Sequence, residues 1–341
     1  MTDYKSLKLI ATSSPHIRGK ETTRSIMLDV IIALIPALIF ACFNWGLRAL
    51  TVTAFSCAAC VFFEWLYRYL MKKESSIQDL SAVVTGMLLA FVCPVTIPYW
   101  MILIGDFFAI IITKQLFGGI GCNFINPALA GRAALLASYA GSMTKWADLS
   151  GVPAIGSTVD VVTTATPLAM MKTGAFADLT QKYSLSDMFT GLVPGSLGEV
   201  SALALLLGGF YLLWRRVINW HTPVCYIATV AILTFLFPLY GADRVEWMLY
   251  QVLGGGLILG AFFMATDYAT SPVTPKGQAI FGVGCGLFTI LIRYFGSYNE
   301  GVCYSIMVMN LFVAFIDRYT RPTRFGASEI ASDKNNNKSN K

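Results

Sequence analysis

The residues most able to do chemistry form one stretch, Asp160-Val161-Val162-Thr163-Thr164-Ala165-Thr166-Pro167-Leu168, in the longest polar segment of the chain. The hydroxyl of Thr166 is a weak nucleophile that a modifying enzyme can phosphorylate when its segment is exposed and pliable. Ala165 leaves room beside it, and a residue before proline is held extended, so we expect Thr166 to present its side chain outward. A plain polar loop turned by Pro167 would have the same composition, so both interpretations stand on these residues.

A second stretch, Gly118-Gly119-Ile120-Gly121-Cys122-Asn123-Phe124-Ile125-Asn126-Pro127-Ala128, combines three glycines with two amides. Glycines let a flat group approach the backbone closely, and the amides of Asn123 and Asn126 can hydrogen-bond a ring that carries donors and acceptors. The alternative is a turn between two helices in which an asparagine caps the second one. The stretch therefore predicts either a ring-binding site or a cap.

Asp106 lies near the middle of an apolar run, where charged residues are functional candidates. It predicts a place on an ion path, and the alternative is a buried partner for a polar neighbour. Cys57 and Cys60 have the spacing of iron–sulfur ligands, but apolar surroundings and the lack of a second pair nearby indicate packed free thiols. We expect no metal site.

The composition indicates which elements must hold these residues. Of the 341 residues 56% are hydrophobic and 13% are charged, whereas a soluble domain carries about 25% charged residues. The apolar runs are continuous and about 20 residues long, which predicts membrane-spanning helices. The net charge of +6 is not a sign of nucleic-acid binding, because the basic residues cluster beside the apolar runs.

The sequence thus predicts an all-α integral membrane protein with about ten transmembrane helices. Their approximate ranges are 26–43, 49–70, 79–95, 98–117, 124–140, 200–216, 222–240, 245–265, 277–295 and 301–317. A weak repeat supports two halves of five spans: the run that begins at Gly86 and leads to Lys114 and Asn126 recurs from Gly260 to Arg293 and Asn310. The two halves would enter the membrane from opposite sides, giving an inverted 5+5 repeat of the kind common in transporters.

Basic residues set the orientation, because they accumulate on the cytoplasmic side. This rule predicts a cytoplasmic tail over residues 1–25, a first membrane half over 26–140 and an extracytoplasmic loop over 141–199. A second membrane half then covers 200–317, and 318–341 form a cytoplasmic, disordered tail. Thr166 is therefore expected outside the membrane, and the Asn123–Asn126 stretch on the cytoplasmic side.

Several segments resemble the RnfD/NqrB family of subunits from membrane redox pumps. The D-x-x-T-x-A-T-P-L block resembles the flavin-attachment site of that family, and the segment that ends at Glu199 is similar to its P-G-S-x-G-E motif. Further similar segments are Ser13–His16, Arg24–Met27, Thr266–Thr274, Arg293–Val302 and Asn310–Pro322. The resemblance therefore extends, in order, over nearly the whole chain.

The resemblance implies FMN joined to Thr166 by a phosphoester bond, with Asp160, Thr163 and Ala165 as parts of the attachment motif. It also implies a non-covalent riboflavin near the second stretch, for which Asn123 and Asn126 are the expected contacts. One position departs from the family, which has S/T-G-A-T where this chain has Thr164 in place of the glycine. That side chain is expected to slow the modification or to need a tolerant transferase.

The implied function is that of a flavin-carrying electron-transfer subunit of an Rnf-type ferredoxin:NAD+ oxidoreductase, which moves Na+ or H+ across the bacterial cytoplasmic membrane. Such a subunit has no complete reaction and no catalytic residue of its own. Its implied partners are RnfA, RnfB, RnfC, RnfE, RnfG, a flavin transferase that acts on Thr166, and membrane lipid; nucleic acid is not among them. The short amino terminus and the A-T-P-L form favour the RnfD branch over the NqrB branch of Na+-translocating NADH:quinone reductases. A solute channel or transporter with a threonine-rich gate is the alternative from another class.

Overall fold

The computed structural model describes residues 21–147, 164–199 and 201–322. These residues form helices and no β-strand, which confirms the predicted all-α class. Asp160 and Thr163 of the attachment motif lie outside the described residues, as do residues 1–20 and 323–341.

The helices before the Thr166 segment are α1 Thr23–Trp45, α2 Leu47–Leu70, α3 Ser81–Phe91, α4 Tyr99–Phe107, α5 Pro127–Ser138 and α6 Ala140–Met143. The last turns of the α4 rod are wound as a π-helix, Phe108–Gln115. Three short helices follow Thr166: α7 Pro167–Lys172, α8 Phe176–Lys182 and α9 Leu185–Thr190.

The second half contains α10 Ala202–Trp214, α11 His221–Leu236, α12 Arg244–Leu253, α13 Leu257–Leu259, α14 Pro275–Phe295 and α15 Val302–Thr320. A π-helix, Gly260–Met264, continues α13. Helices thus lie within or across all of the predicted spans, with ends that differ by a few residues.

Among the described residues, α1, α2, α14 and α15 are each long and apolar enough to cross a membrane. A fifth candidate is the pair α12 and α13 with its π-helical continuation, which bends by 59° at the break between its two parts. Helices α3, α10 and α11 are apolar but shorter. Several apolar helices therefore indicate a multi-pass membrane protein, while the number ten stays a prediction.

Local chemistry explains where the helices begin. Thr22 caps α1 in a capping box with Ser25, in which each side chain accepts from the backbone N–H of the other residue. Thr274 caps α14, and Pro275 follows at the first helical position, where its missing N–H has no partner to lose. These signals are readable in the sequence.

The helices leave two distinct ends to the bundle. At one end lie the starts of α1, α3 and α5, and a cavity between them described below. At the other end the backbone N–H groups of Leu197 and Gly198 donate to Cys93 and Phe91 O, at 3.0 and 2.9 Å, just past α3. Asn44, near the end of α1, donates to Gly191 O at 2.7 Å. The segment that contains Thr166 therefore covers the second end.

Candidate functional site

Thr166 is the N-cap residue of α7. Its backbone is extended (φ −67°, ψ 155°), as expected before proline, and its Oγ1 accepts from the Ala169 N–H at 3.3 Å. The expectation of an outward, exposed side chain was wrong, because Thr166 is only 7% exposed. Leu168 and Met171 are buried on the same short helix and hold it against the body of the protein.

Two small cavities touch Thr166, with volumes of about 50 and 30 Å³. The larger is lined by Arg132, Trp146, Tyr298 and Tyr304, and Glu300 lines both cavities. Each has room for one or two water molecules and not for an aromatic ring system. Among the described residues, these two cavities offer Thr166 space for a small polar group, and neither of them holds a flavin ring.

Arg132 lies between two carboxylates at this end of the bundle. Its Nη1 is 3.2 Å from Glu199 Oε1, and its Nη2 contacts Glu300 Oε2. The Arg132 and Glu199 side chains are both less than a tenth exposed. Burial raises the pKa of Glu199 to about 7; Glu300 adds to the shift, and Arg132 opposes it. The Thr166 site therefore carries one positive and two potentially negative groups.

The floor of this site is the break between α12 and α13. Gly255 and Gly256 have φ of +67° and +64°, a conformation that favours glycine. A Cβ atom on Gly255 would collide with Leu168, and one on Gly256 with Glu199. Arg293 holds the break from below, since its Nη atoms donate to Gln251 O at 2.6 Å and Gly254 O at 3.1 Å.

The remaining motif residues contribute in different ways. Ala165 is exposed, which leaves the predicted room beside Thr166. Thr164, where the family has glycine, is half-buried, and its Oγ1 has no hydrogen-bond partner among the described residues. The roles of Asp160 and Thr163 stay predictions.

A cavity with a volume of about 370 Å³ lies at the opposite end. We call it the Asn126 cavity. Its lining residues come from the starts of α1, α3 and α5, from the end of α10, from the π-helices that follow α4 and α13, and from the loops after these helices. Its polar members include Ser81, Lys114, Asn123, Asn126 and Asp267. Most of the remaining wall is apolar, as in small-molecule sites of about 300–1,000 Å³.

The two predicted asparagines both line this cavity, but they differ in what they do. Asn126 caps α5: its Oδ1 accepts from Ala128 N at 3.0 Å, and its Nδ2 donates to Met264 O at 3.2 Å. Asn123 Nδ2 donates to Ile125 O at 3.2 Å. The cap that was the alternative interpretation is therefore present at Asn126, and it coexists with a position on the cavity wall.

Two charged side chains of the lining were not among the predicted site residues. The Lys114 Nζ donates to Glu64 Oε2 at 2.8 Å and to Ser81 Oγ at 2.7 Å, and all three side chains are buried. Asp267 accepts from Thr270 at 3.1 Å, and burial raises its pKa. Glu64 and Lys114 are both charged residues inside predicted spans, 49–70 and 98–117, and this is the sequence signal that points to their ion pair.

Asp106 is fully buried between the two ends. Its Oδ1 accepts from Ser56 at 2.7 Å and from the Cys60 thiol at 3.1 Å, while Oδ2 has no partner among the described residues. The π-helical turns begin two residues later, and such irregular turns are frequent at functional sites. The geometry agrees with both interpretations of Asp106. Ser56 and Cys60 are the polar neighbours of a buried partner, and the free Oδ2 is available to an ion.

Residues 10–326 match the model of the NQR2, RnfD, RnfE family. The chain is 48% identical over 329 residues to the D subunit of the Na+-translocating ferredoxin:NAD+ oxidoreductase complex of Acetobacterium woodii, covering 96% of this chain and 98% of that protein. It is 44% identical over 324 residues to the D subunit of the proton-translocating ferredoxin:NAD+ oxidoreductase complex of Clostridium ljungdahlii (92% and 95%). The D subunit of the ion-translocating oxidoreductase complex of Actinobacillus succinogenes is 36% identical over 344 residues (91% and 96%).

Proposed function

Since the chain belongs to the NQR2, RnfD, RnfE family, we propose that it is an electron-transfer subunit of a membrane ion-translocating ferredoxin:NAD+ oxidoreductase. The observation that carries this proposal is the 48% identity, over nearly the full length of both chains, to the D subunit of such a complex. The complete reaction would belong to the assembly with its other subunits, in the bacterial cytoplasmic membrane.

The proposal includes FMN on Thr166. The hydroxyl of Thr166 and the exposed Ala165 beside it suit a phosphoester. Arg132, across the larger cavity, is paired with Glu199 and Glu300, so it would have to leave one of these carboxylates to bind the phosphate. The cavities of about 50 and 30 Å³ do not admit the ring. We therefore expect the transferase to act on a form in which α7 is displaced, and the attached form to keep α7 less tightly packed.

A non-covalent riboflavin in the Asn126 cavity is the second part. The cavity offers an apolar wall for a flat ring, and Asn123, Lys114 and Asp267 offer polar groups at its edge. Asn126 would hold the shape of the site by capping α5. Bound flavins supply the capacity to accept and pass on electrons, while the protein spaces and tunes them.

An ion path through Asp106 and a ten-helix 5+5 repeat complete the proposal. The packing supports the repeat, because α1 pairs with α10 and α5 with α15, the helices that the repeat makes equivalent. One relative is named for the translocation of Na+ and another for the translocation of protons. The free Oδ2 of Asp106 suits either ion.

Substitutions at Thr166 in the assembled complex test the covalent flavin. Thr166→Asn keeps a capping oxygen but lacks the hydroxyl, so we expect full stability and no covalent flavin, measured by intact mass and by fluorescence of the denatured subunit. Thr166→Ala also loses the flavin and costs about 1 kcal/mol of cap stability. Thr166→Ser keeps both groups and is the matched control; Thr163→Ala should have a milder effect. Flavin that persists on Thr166→Asn would refute the attachment site.

A further inference from the structure

The charges around the Asn126 cavity add up to a negative environment. Among the described residues, Lys114 and Asp267 are the charged side chains that line it. Glu64 lies behind Lys114 and is paired with its ammonium group at 2.8 Å. The positive charge is therefore cancelled within the protein, and the carboxylate of Asp267 remains.

We propose that this cavity selects a flavin that has no phosphate, and that Glu64 and Asp267 are the residues that set the selectivity. The inference rests on the proposed presence of a flavin in this cavity. A phosphate monoester carries about −1.5 to −2 charges at pH 7 and needs unpaired cations when it leaves water. Lys114 is occupied by Glu64, and Asp267 offers no positive charge to an anion and repels it when ionised.

A neutral ligand meets no such obstacle. The Lys114 ammonium has three N–H donors, of which Glu64 and Ser81 use two. The Asp267 carboxylate accepts from Thr270 and is also in hydrogen-bonding reach of the Ala269 N–H and the Asn123 side chain. Its two oxygens have about four acceptor sites, so one stays available to a ring N–H or a hydroxyl. The site thus offers both donors and acceptors to an uncharged polar edge.

The selectivity predicts a switch. In Glu64→Gln, Lys114 loses its counter-ion and becomes a buried cation, which a phosphate group can then neutralise. In Asp267→Asn, the repelling carboxylate is removed while the shape is kept. Both substitutions should move the site toward FMN, and Glu64→Gln should move it further.

The experiment measures the flavin released when the assembled complex is denatured, separated by chromatography into riboflavin and FMN. The covalent flavin stays on the polypeptide and reports that the subunit has folded and been modified. We expect riboflavin in the wild type, and an FMN-to-riboflavin ratio raised by about tenfold or more in Glu64→Gln. The exposed Glu74→Gln is the matched control and should leave the ratio unchanged. The double variant Glu64→Gln/Lys114→Met should lose the gain in FMN.

The possible outcomes test separately whether a flavin binds in this cavity and whether the cavity selects riboflavin over FMN. A wild type that releases no flavin refutes the flavin in this cavity and the inference with it. A wild type that releases FMN as readily as riboflavin, or variants that release flavin at an unchanged ratio, refute the selectivity alone. Should Glu64→Gln fail to assemble, thermal stabilisation of flavin-depleted wild-type complex by added riboflavin, but not by FMN, makes the same test. Equal stabilisation by both would overturn the inference.

Discussion

At the scale of single residues, the Oγ1 of Thr166 is both the capping atom of α7 and the proposed attachment atom of FMN. The Oγ1 that would carry the phosphoester now accepts the N–H of Ala169 as the cap of α7. A cap of this kind is worth about 1 kcal/mol. Esterification weakens it, but the added phosphate oxygens are strong acceptors close to the same N–H groups. The cap therefore holds the hydroxyl in place before modification without being a strong barrier to it.

The carboxyl of Glu199 predicts a pH dependence of stability. Its pKa in the folded protein is raised to about 7, above the ordinary value of 4.5. The folded state therefore holds this proton more tightly than the unfolded state, and the resulting stability, present below pH 4.5, is lost as pH rises through 7. Glu199→Gln has no such proton to lose. The difference in free energy of unfolding between this variant and the wild type should therefore shift in favour of the variant by on the order of 1–3 kcal/mol between about pH 5 and about pH 8.

Thermal unfolding of the purified subunit, followed by circular dichroism at several pH values, measures this difference. The exposed Glu246→Gln on α12 is the control, and its stability should change with pH in the same way as that of the wild type. Parallel curves for Glu199→Gln as well would contradict the proposed coupling between Glu199, Glu300 and Arg132.

The residue types at the site were more predictable than their neighbours in space. Thr166, Asn123 and Asn126 stand out because each lies in a short stretch with its own chemistry. The grouping of Arg132, Glu199 and Glu300 had no signal in the sequence. Glu199 and Glu300 lie in segments that resemble the family, and Arg132 is a charge inside an apolar run, but the three segments meet only in the fold. The burial of Thr166 was missed for the same reason: Glu300, Gly254 and Gly255, which share a small cavity with it, are far away in sequence.

At the scale of elements, the break between α12 and α13 shapes the Thr166 site. Leu168 and Glu199 pack against the backbone of Gly255 and Gly256, where any side chain would collide with them. The break frees carbonyl groups at the end of α12, and Arg293 satisfies them. We predicted one continuous span over 245–265, so neither the break at the three glycines nor the packing of Leu168 against it was foreseen.

Two alanine substitutions separate backbone strain from this contact. Gly255 and Gly241 have nearly the same φ, +67° and +68°, but a Cβ on Gly241 meets nothing within 4 Å. Gly241→Ala should therefore cost only the left-handed strain, about 1–2 kcal/mol. Gly255→Ala adds the collision with Leu168, so we expect a larger loss of stability and less covalent flavin on Thr166.

Both quantities come from one preparation of each variant, by thermal unfolding and by intact mass. Equal destabilisation of the two variants, or unchanged flavin occupancy in Gly255→Ala, would show that the turn does not position Thr166.

Hydrophobic patterning predicted where helices lie but not how they are interrupted. The π-helical turns at Phe108–Gln115 and Gly260–Met264 depend on packing with neighbouring helices, which a single sequence does not display. The short helices α7, α8 and α9 fell within what was predicted as one loop. They matter, because α7 is the element that buries Thr166.

At the scale of the whole molecule, α5 connects the two candidate sites. Its cap residue Asn126 lies on the Asn126 cavity, and Arg132 lines a cavity at Thr166. Six residues of α-helix span about 9 Å. One short helix therefore touches both proposed flavin sites, and Asp106 is buried in the α4 rod that packs beside it. The fold thus brings two proposed redox sites and a buried carboxylate within the reach of a few helical turns.

The orientation of this arrangement across the membrane remains a prediction from the distribution of Lys and Arg. It places the Thr166 end outside and the Asn126 cavity inside. Two exposed serines report on the two ends: Ser186 lies on α9 beside the Thr166 site, and Ser75 lies in the turn between α2 and α3. Both are on the described surface, so a cysteine at either position needs no rearrangement of the core.

We expect Ser186→Cys, in a cysteine-free background, to react with a membrane-impermeant thiol reagent in intact cells. Ser75→Cys should react only after the membrane is opened. The background is needed because Cys122 is exposed at the same end as Ser75 and would be labelled with it. Full reaction of Ser75→Cys from outside, with Ser186→Cys protected, would show that the protein has the opposite orientation in the membrane. Thr166 would then face the cytoplasm, and the charge-based assignment of both sites to their sides of the membrane would be wrong.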